Sequence, residues 1–423
     1  MARIVSVLDI GTSKIAVIIA LVEEQAPPRV IGFASLPSRG VKKGMITNIE
    51  ETMEVVASTI TSAERMANVQ IEDIYLTVTG PNIVSFNEKG TISITSGEVT
   101  SNDIFRAIEY AKTQLTPLPA GMEFLHIIPN EFAIDSQGGI KHPVGMSGTK
   151  LEVECHFILA PSSVLKNLAK IVQKLGILDR GFIFSGWADT HSVLTETEKE
   201  LGVTLLDIGA GTTDIVIFKE SKVIFSGSVP LGGNNITADI AAGLHIPSLE
   251  AAEKIKLNLD KIFTQQHEKS VFNKSKEEKE EPNTDAVDLS FLEIPGVDKV
   301  SKKLLKEIVE ARVTEILEFA EQTARAKNAT LLSPGGIVVT GGTAKLYNIT
   351  NMIKDITKIP ARVGKPRGLE GMTEEINTPE YATLQGSVLY AASEVVANYE
   401  EAEGFGIGGL IDKIRQIIKS VIK

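Results

Sequence analysis

Two stretches far apart in this chain carry the same order of apolar and polar positions. Residues 5–19 (VSVLDIGTSKIAVII) and 203–218 (VTLLDIGAGTTDIVIF) each run from an apolar segment through Asp-Ile-Gly and a Gly/Ser/Thr turn into a second apolar segment. The β-branched residues and the small turn residues predict strand, tight turn, strand in both copies, and hence a duplicated unit. After the first copy the pattern predicts a strand over 29–36, a helix over 49–67 and a strand over 74–79. From 82 to 161 the texture changes to short strands (90–94, 124–132, 151–160) around an amphipathic helix over 101–114, capped by Ser101 and closed before Pro117, which reads as a small inserted α+β unit. A helix over 162–175, a strand and a helix near 189–194 lead into the second copy. A strand over 223–230, a helix over 250–259 and the longest helix, 300–326, follow. The apolar face of that last helix is read as Leu304, Ile308, Ala311, Ile316, Phe319 and Ala320. A buried-type strand over 336–340 then breaks at Gly341-Gly342 and restarts as a helix.

The repeated turn is where chemistry enters. Small residues at such a turn aim several backbone N–H groups and hydroxyls into one concavity, which suits an anion such as phosphate. Two facing turns can clamp a polyphosphate between two lobes, with Asp9 and Asp207 holding its Mg²⁺ through water. One such turn alone is more often an ordinary hairpin; the matched pair is the specific signal. Neither copy is a P-loop, since GTSK lacks the four-residue spacer and following helix, and no GxGxxG opens a helix. Gly341-Gly342 permits close backbone approach to a planar base, with a plain strand-to-helix turn as the other reading.

Composition narrows the rest. A chain of 423 residues, 43% hydrophobic, holds two to four packed domains. Its one cysteine, Cys155, has no partner for a disulfide or a metal cluster and reads as a small buried residue in a reducing cytoplasm. No charged segment followed by a cleavable apolar one precedes Ile4, so no signal peptide is expected. The longest apolar run, 15–22, is too short to span a bilayer. A net charge of -11 argues against nucleic acid as a partner. Residues 265–282 are dense in mixed charge and read as a solvated loop or frayed helix, with a docking role as the alternative.

The C-terminus has the opposite character. After the hinge GFGIGG at 404–409, the last fourteen residues form a helical pattern in which Leu410, Ile411, Ile414, Ile417, Ile418, Val421 and Ile422 share an arc of about 140°. Lys413, Arg415, Lys419 and Lys423 against Asp412 give this tail +3, leaving -14 on the rest. Such a helix suits the surface of an anionic membrane. One tail binds modestly, whereas many tails on a polymer bind strongly through avidity. Docking on its own domain and zipping with another chain are the competing readings; the hinge tells against the first and the width of the face against the second.

With these features in place, the chain resembles the FtsA family of bacterial cell-division proteins, which are actin-like and ATP-binding, over nearly its whole length. DIGTSK at 9–14 is similar to the family's first phosphate motif, LLDIGAGTTDI at 205–215 to its second, and IVVTGGTAKL at 337–346 to its adenosine motif. The insert, with VGMSG followed by KLEVECHFI, is similar to the one that replaces the small subdomain of actin. The resemblance implies an actin-like, ribonuclease H-like duplicated two-lobe α/β fold. Residues 1–82, 162–203 and 380–400 would form subdomain IA, 83–161 the inserted IC, 204–226 with 309–379 IIA, and 227–308 IIB, followed by the 401–409 hinge and the 410–423 amphipathic helix.

It also implies roles. Gly11, Thr12, Ser13 and Lys14 would face one side of the phosphates, and Gly209, Gly211, Thr212 and Thr213 the other. Glu253 and Lys256 would contact the ribose and adenine edge, although a Glu and a Lys three apart on a helix otherwise read as a surface ion pair. Gly341, Gly342 and Thr343 would approach the base. The helix holding THSVL corresponds to the connecting helix of actin, with His191 in the place of a water-positioning Gln; ATP hydrolysis is then expected to be slow or a switch, and a packing histidine is the other reading. The implied partners are the C-terminal peptide of the tubulin-like FtsZ, bound in the second lobe, further copies in head-to-tail filaments, other division proteins, and the inner face of the cytoplasmic membrane at the division site. A PilM-like pilus-assembly protein is an alternative that the tail disfavours. A small-molecule kinase is another, disfavoured because no Asp or Glu stands out as its base.

Overall fold

Strands β1 (Arg3–Ile10) and β2 (Lys14–Glu23) pair antiparallel with Ile10 opposite Ile15, so the first predicted hairpin forms with a four-residue turn. Strands β10 (Thr204–Ile208) and β11 (Thr213–Lys219) repeat it with Ile208 opposite Thr213. The computed structural model describes residues 2–24, 26–264, 285–372 and 374–402. The charged 265–282 stretch, the 404–409 hinge and all the predicted membrane-facing residues of 410–423 lie outside the described residues.

Each hairpin seeds a sheet of the same order. In the first lobe, β3 (Ala26–Pro37), β4 (Asp73–Val78) and β9 (Leu178–Phe184) complete the order β9-β4-β1-β2-β3, extended by a two-residue strand at Glu370–Gly371. In the second, β12 (Lys222–Val229), β13 (Ile337–Thr340) and β14 (Ala361–Val363) give β14-β13-β10-β11-β12. The duplication read from sequence is therefore one of topology, with β1 parallel to β4 and β10 parallel to β13 in matching places.

The near-continuous apolar runs in β1 and β2 reflect burial on both faces of the sheet. Leu8, Ile10, Val17 and Ile19 pack with Val56 and Ile60 of α1 (Ile49–Ala67), while Val5, Val7, Ala16 and Ile18 pack with Leu384 and Val388 near the C-terminal end of the described chain. Helix α1 spans the predicted residues. Asn48 caps its first turn, and Asn68, at φ 54°, ends it in the left-handed region that Asn tolerates.

Between β4 and α3 (Ser162–Lys174) lies the insert. Strands β5 (Val84–Ser93), β6 (Met122–Ile134), β7 (Gln137–Ile140) and β8 (Lys150–Pro161) form a sheet in the order β5-β8-β6-β7, covered by α2 (Ser101–Thr113). The α2 cap is Thr100, not Ser101: Thr100 and Asp103 make a reciprocal capping box, which outcompetes a serine one residue later. Cys155 is buried in this unit, and burial pushes its thiol up to about 12, as expected of an inert core residue.

Helices α4 (Ser185–Val193) and α5 (Glu196–Leu201) connect the lobes, α4 beginning four residues before its predicted start. In the second lobe come α6 (Gly233–Gly243), α7 (Leu249–Leu257) and α8 (Lys302–Arg325). The buried face of α8 is Leu305, Val309, Val313, Ile316, Leu317, Ala320 and Ala324. Leu304 and Phe319 are exposed, so the predicted stripe is corrected by about one position. The error arises because Leu304-Leu305 and Ile316-Leu317 are adjacent apolar pairs that fit two neighbouring stripes. After β13 the chain makes one tight turn at Gly342–Lys345, then α9 (Ile349–Thr357), and the last described element is α10 (Ala382–Ala402). None of the described helices is long and apolar enough to cross a membrane.

Candidate functional site

The two four-residue turns face each other across a cavity of about 520 Å³. Each is closed by the same bond: the Gly11 N–H donates to the Lys14 carbonyl at 3.0 Å, and the Gly209 N–H to the Thr212 carbonyl at 2.9 Å. Gly11, Thr12, Ser13 and Lys14 line one wall; Gly209, Gly211 and Thr212 line the other. Contact between the walls is tight enough to forbid side chains, since a Cβ on Gly211 would lie 2.7 Å from Thr12 Oγ1. Thr12 Oγ1 also accepts from the Gly44 N–H at 2.9 Å, which fixes its rotamer.

The start of α6 is held against the second turn, because Gly233 and Asn234 donate to the carbonyls of Gly209 and Ala210 at 2.9 and 2.8 Å. Glu253 and Lys256, one turn apart on α7, form an ion pair at 2.7 Å inside the cavity, not on the open surface. Lys256 Nζ also donates to the Gly233 carbonyl at 3.1 Å, so the pair is anchored to the turn. Gly341, Gly342 and Thr343 close the far side, with Thr343 Oγ1 donating to the Gly209 carbonyl at 3.0 Å. Gly341 has φ 83°, and a Cβ there would lie 2.1 Å from Asp207 Oδ1. That position needs glycine for both reasons.

Two predicted residues do not reach the cavity. Thr213 is fully buried, and its hydroxyl donates to the Leu231 carbonyl at 2.9 Å. It starts β11 with its side chain turned to the chain that leads into Gly232-Gly233, so it supports the wall without forming it. His191 is not among the cavity-lining residues; its ring packs edge-on against Trp187 and Tyr390 and its Nδ1 donates to the Trp187 carbonyl at 2.9 Å. Burial pushes its imidazole down to about 4, so it is a neutral packing residue and the water-positioning place is not filled by it.

The floor is acidic. Asp9 and Asp207 line the cavity together with Asp214, while Asp189 lies behind them, buried and bonded through Thr383. Thr77 donates to Asp9 at 2.6 Å, and Thr79 to Asp214 at 2.8 Å. Burial raises Asp9 above the usual carboxylate range; burial and the charge of Asp9 push Asp207 up to about 6. Burial and the charge of Asp207 push Asp214 up to about 8, and burial with the same neighbour raises Asp189. Burial lowers Lys14, against the pull of Glu380, Asp9 and Asp207. Asp9, Asp207 and Glu380 act on the one amine of Lys14, and Asp214 and Asp189 crowd Asp207, an arrangement that takes up a cation or protons. Among the described residues no group of three or more His, Cys, Asp or Glu side chains is arranged to hold a metal ion directly.

The sequence reading missed Thr79, Asp214, Asn234, Lys345, Glu380 and Thr383, which also line the cavity. Asp214 had a signal: it is a charged residue inside the apolar run of the second copy, where the first copy has Ala16. Glu380 and Thr383 had none, because they come from the end of the chain and are placed by tertiary packing alone.

A second, smaller groove of about 250 Å³ lies between the chain after α7 and the first turns of α8. Its floor is Leu259, Phe263, Val309 and Met352, and Lys302, Lys306 and Glu310 stand at its edge with Tyr347 and Asn348. Phe263 and Tyr347 rings meet at 5.6 Å.

The family model described as cell division protein FtsA matches residues 204–386, and the model of the SHS2 domain inserted in FtsA matches 80–159, the insert. The chain is 33% identical over 431 residues to the cell division protein FtsA of Neisseria meningitidis serogroup B, covering 99% of this chain and 98% of that protein. It is 32% identical over 413 residues to that of Escherichia coli K12, covering 95% and 93%. Among solved structures it is similar to the PilM–PilN type IV pilus biogenesis complex, with a TM-score of 0.57 and 16% identity over 92% of this chain and 98% of that one. It is also similar to MreB 5 of Spiroplasma citri bound to AMPPNP, with a TM-score of 0.51 and 14% identity over 95% and 99%. The two sheets of equal order, the insert and the facing turns are thus an actin-like fold, and the chain belongs to the family of the cell division protein FtsA.

Proposed function

We propose that the cleft binds Mg·ATP and that the protein, closed on its nucleotide, assembles head to tail and tethers FtsZ polymers to the inner face of the cytoplasmic membrane at the division site. The observation that carries the nucleotide reading is the pair of facing turns with identical closure, set over an acidic floor. The donor set fits. Backbone N–H groups with Thr12, Ser13 and Thr212 suit phosphate oxygens, Lys14 adds one positive charge, and Glu253 and Lys256 suit a ribose. A base would lie over Gly341-Gly342, where a Cβ on Gly342 would meet nothing within 4 Å. Asp9 and Asp207 would hold the magnesium ion through water, and the ion, when bound, neutralises polyphosphate charge.

The chain's own groups do the rest. Thr79, from the first lobe, is bonded to Asp214 of the second, and Thr12 is held beside Gly211, so a ligand gripping both turns strengthens contacts that already join the lobes. With His191 withdrawn from the cavity, the water-positioning place is not filled by it, which supports a nucleotide used mainly as a conformational switch, with slow hydrolysis. The edge groove supports the FtsZ reading: an apolar floor with Lys302 and a Lys306–Glu310 pair at the rim suits a short peptide with apolar anchors and a carboxylate set against Lys302. The 410–423 segment, whose sequence sets Lys413, Arg415 and Lys419 opposite an aliphatic arc at helical spacing, is the membrane contact in this account.

Calorimetric titration of Mg·ATP into the full chain and into Asp207→Ala tests the nucleotide reading. The wild type should bind, and the variant should bind at least tenfold more weakly with its fold intact, about 1.4 kcal/mol. Equal affinities would remove Asp207, and with it the acidic floor, from the site.

A further inference from the structure

The outer edge of the second-lobe sheet is β12, which pairs with β11 on one side only. An unpaired edge normally offers its N–H and C=O groups to solvent or to another chain. Here the insert takes them with side chains. Ser85 Oγ donates to the Ser226 carbonyl at 2.6 Å and accepts from the Ser226 N–H at 2.9 Å. Asn130 does the same for Val223, accepting its N–H at 3.0 Å and donating to its carbonyl at 2.9 Å. Asn87 donates to the Ile224 carbonyl at 2.8 Å.

A buried histidine locks this seam. His156 Nδ1 lies 2.7 Å from Asn87 Oδ1, and Nε2 lies 2.9 Å from Ser226 Oγ. Because the Asn87 amide nitrogen donates to Ile224, its oxygen is the acceptor, so His156 carries its proton on Nδ1 and takes the Ser226 hydroxyl on Nε2. Outside the seam, Lys222 pairs with Glu131, and Lys327 Nζ sits 4.1 Å over the Phe86 ring.

The insert is built into the first lobe, because β8 runs directly into α3 and the His126 ring accepts from the Phe184 N–H at 2.9 Å. Ile158 and Ala160 of the insert share one apolar cluster with Phe184 of the first lobe and Val223 of the second. Both ends of the connection reach the cavity. Thr79, just before the insert, bonds to Asp214, and β12, just after its seam residues, leads into Gly233 and Asn234 of the cavity wall.

We propose that the insert is a brace across the two lobes: the Ser85–Asn87–Asn130–His156 seam fixes β12 to the first lobe and thereby sets how far the cleft opens, whatever occupies it. Opening the lobes requires these bonds to break or the insert to travel with the second lobe.

Amide hydrogen exchange of the nucleotide-free full chain tests this, with α2 of the insert as the internal reference. In Ser85→Ala/Asn130→Ala, exchange at 209–214 and at the start of α6 should rise about tenfold while α2 stays protected. A rise confined to 222–229 would show that the seam only protects a sheet edge and would overturn the brace. Should α2 lose protection as well, the pair Ser85→Cys/Ser226→Cys decides: oxidation to the disulfide should slow exchange at 209–214 below that of the reduced form, and no difference between the two forms would overturn it. Neither readout depends on nucleotide binding.

Discussion

Thr79, the residue that follows the fourth strand of the first lobe, donates its hydroxyl hydrogen to Asp214 of the second lobe at 2.8 Å, and the same hydroxyl lies 3.2 Å from Thr212 Oγ1. One threonine thus joins the two halves of a duplicated fold at the floor of the cleft. Asp214 is buried, and this bond is one of the few that favour its charged form. Thr79→Val keeps the shape and removes the donor. The expected result is a loss of about 1–3 kcal/mol in second-lobe stability in urea titration, with weaker Mg·ATP binding. An unchanged midpoint would mean the cross-lobe bond contributes nothing.

Gly341→Ala tests the close approach at the Gly341-Gly342 turn. With φ 83° and ψ 175° the backbone there is in a region open essentially to glycine, and the new Cβ would meet Asp207 Oδ1 at 2.1 Å. Strain of about 1–3 kcal/mol and loss of nucleotide binding of at least tenfold are expected. Calorimetry beside thermal melting checks both, and wild-type affinity would show that the site tolerates the shift.

His156 makes a pH prediction. Burial pushes its imidazole from 6.5 down to about 3, so the unfolded state binds the extra proton over that range. Its contribution is therefore complete above pH 6.5 and is lost as pH falls toward 3. His191, pushed down to about 4, acts in the same direction, while Asp207 and Asp214, both raised, act in the opposite one. A comparison with His156→Gln isolates the one residue. The wild type should lose more stability between pH 7 and pH 4.5 than the variant does, and parallel losses would refute the buried neutral histidine.

Lys306→Glu tests the edge groove. Lys306 faces Glu310 at 3.6 Å and both are largely exposed, so the change should leave stability nearly unaltered. Affinity for the FtsZ C-terminal peptide, followed by fluorescence anisotropy, should fall about tenfold, with a shallower salt dependence. Unaltered binding would move the peptide to another surface.

What the sequence made legible follows from how local each feature is. The two hairpins, α1 and the insert could be read because their periodicity and turn residues are contiguous, and the tight turns at 11–14 and 209–212 could be read because each is one segment. The seam between Ser85, Asn130 and β12 left no trace, since serines and asparagines in a strand look like ordinary polar-face residues until the partner edge is known. The reading of Thr213 failed for a related reason: in an alternating strand one residue of Thr212-Thr213 points to the cavity and its neighbour points away. His191 was placed by analogy with a helix position, but its ring packs edge-on against Trp187 and Tyr390 and does not line the cavity.

The most direct test of membrane tethering is sedimentation with anionic liposomes, with and without Mg·ATP, comparing the full chain with one ending at Glu403. The account predicts that the full chain pellets, that Mg·ATP strengthens pelleting by gathering many tails on one polymer, and that the truncated chain stays in solution. If both chains remain in the supernatant, or both pellet equally, the 410–423 segment is not the membrane contact and the tethering account is contradicted.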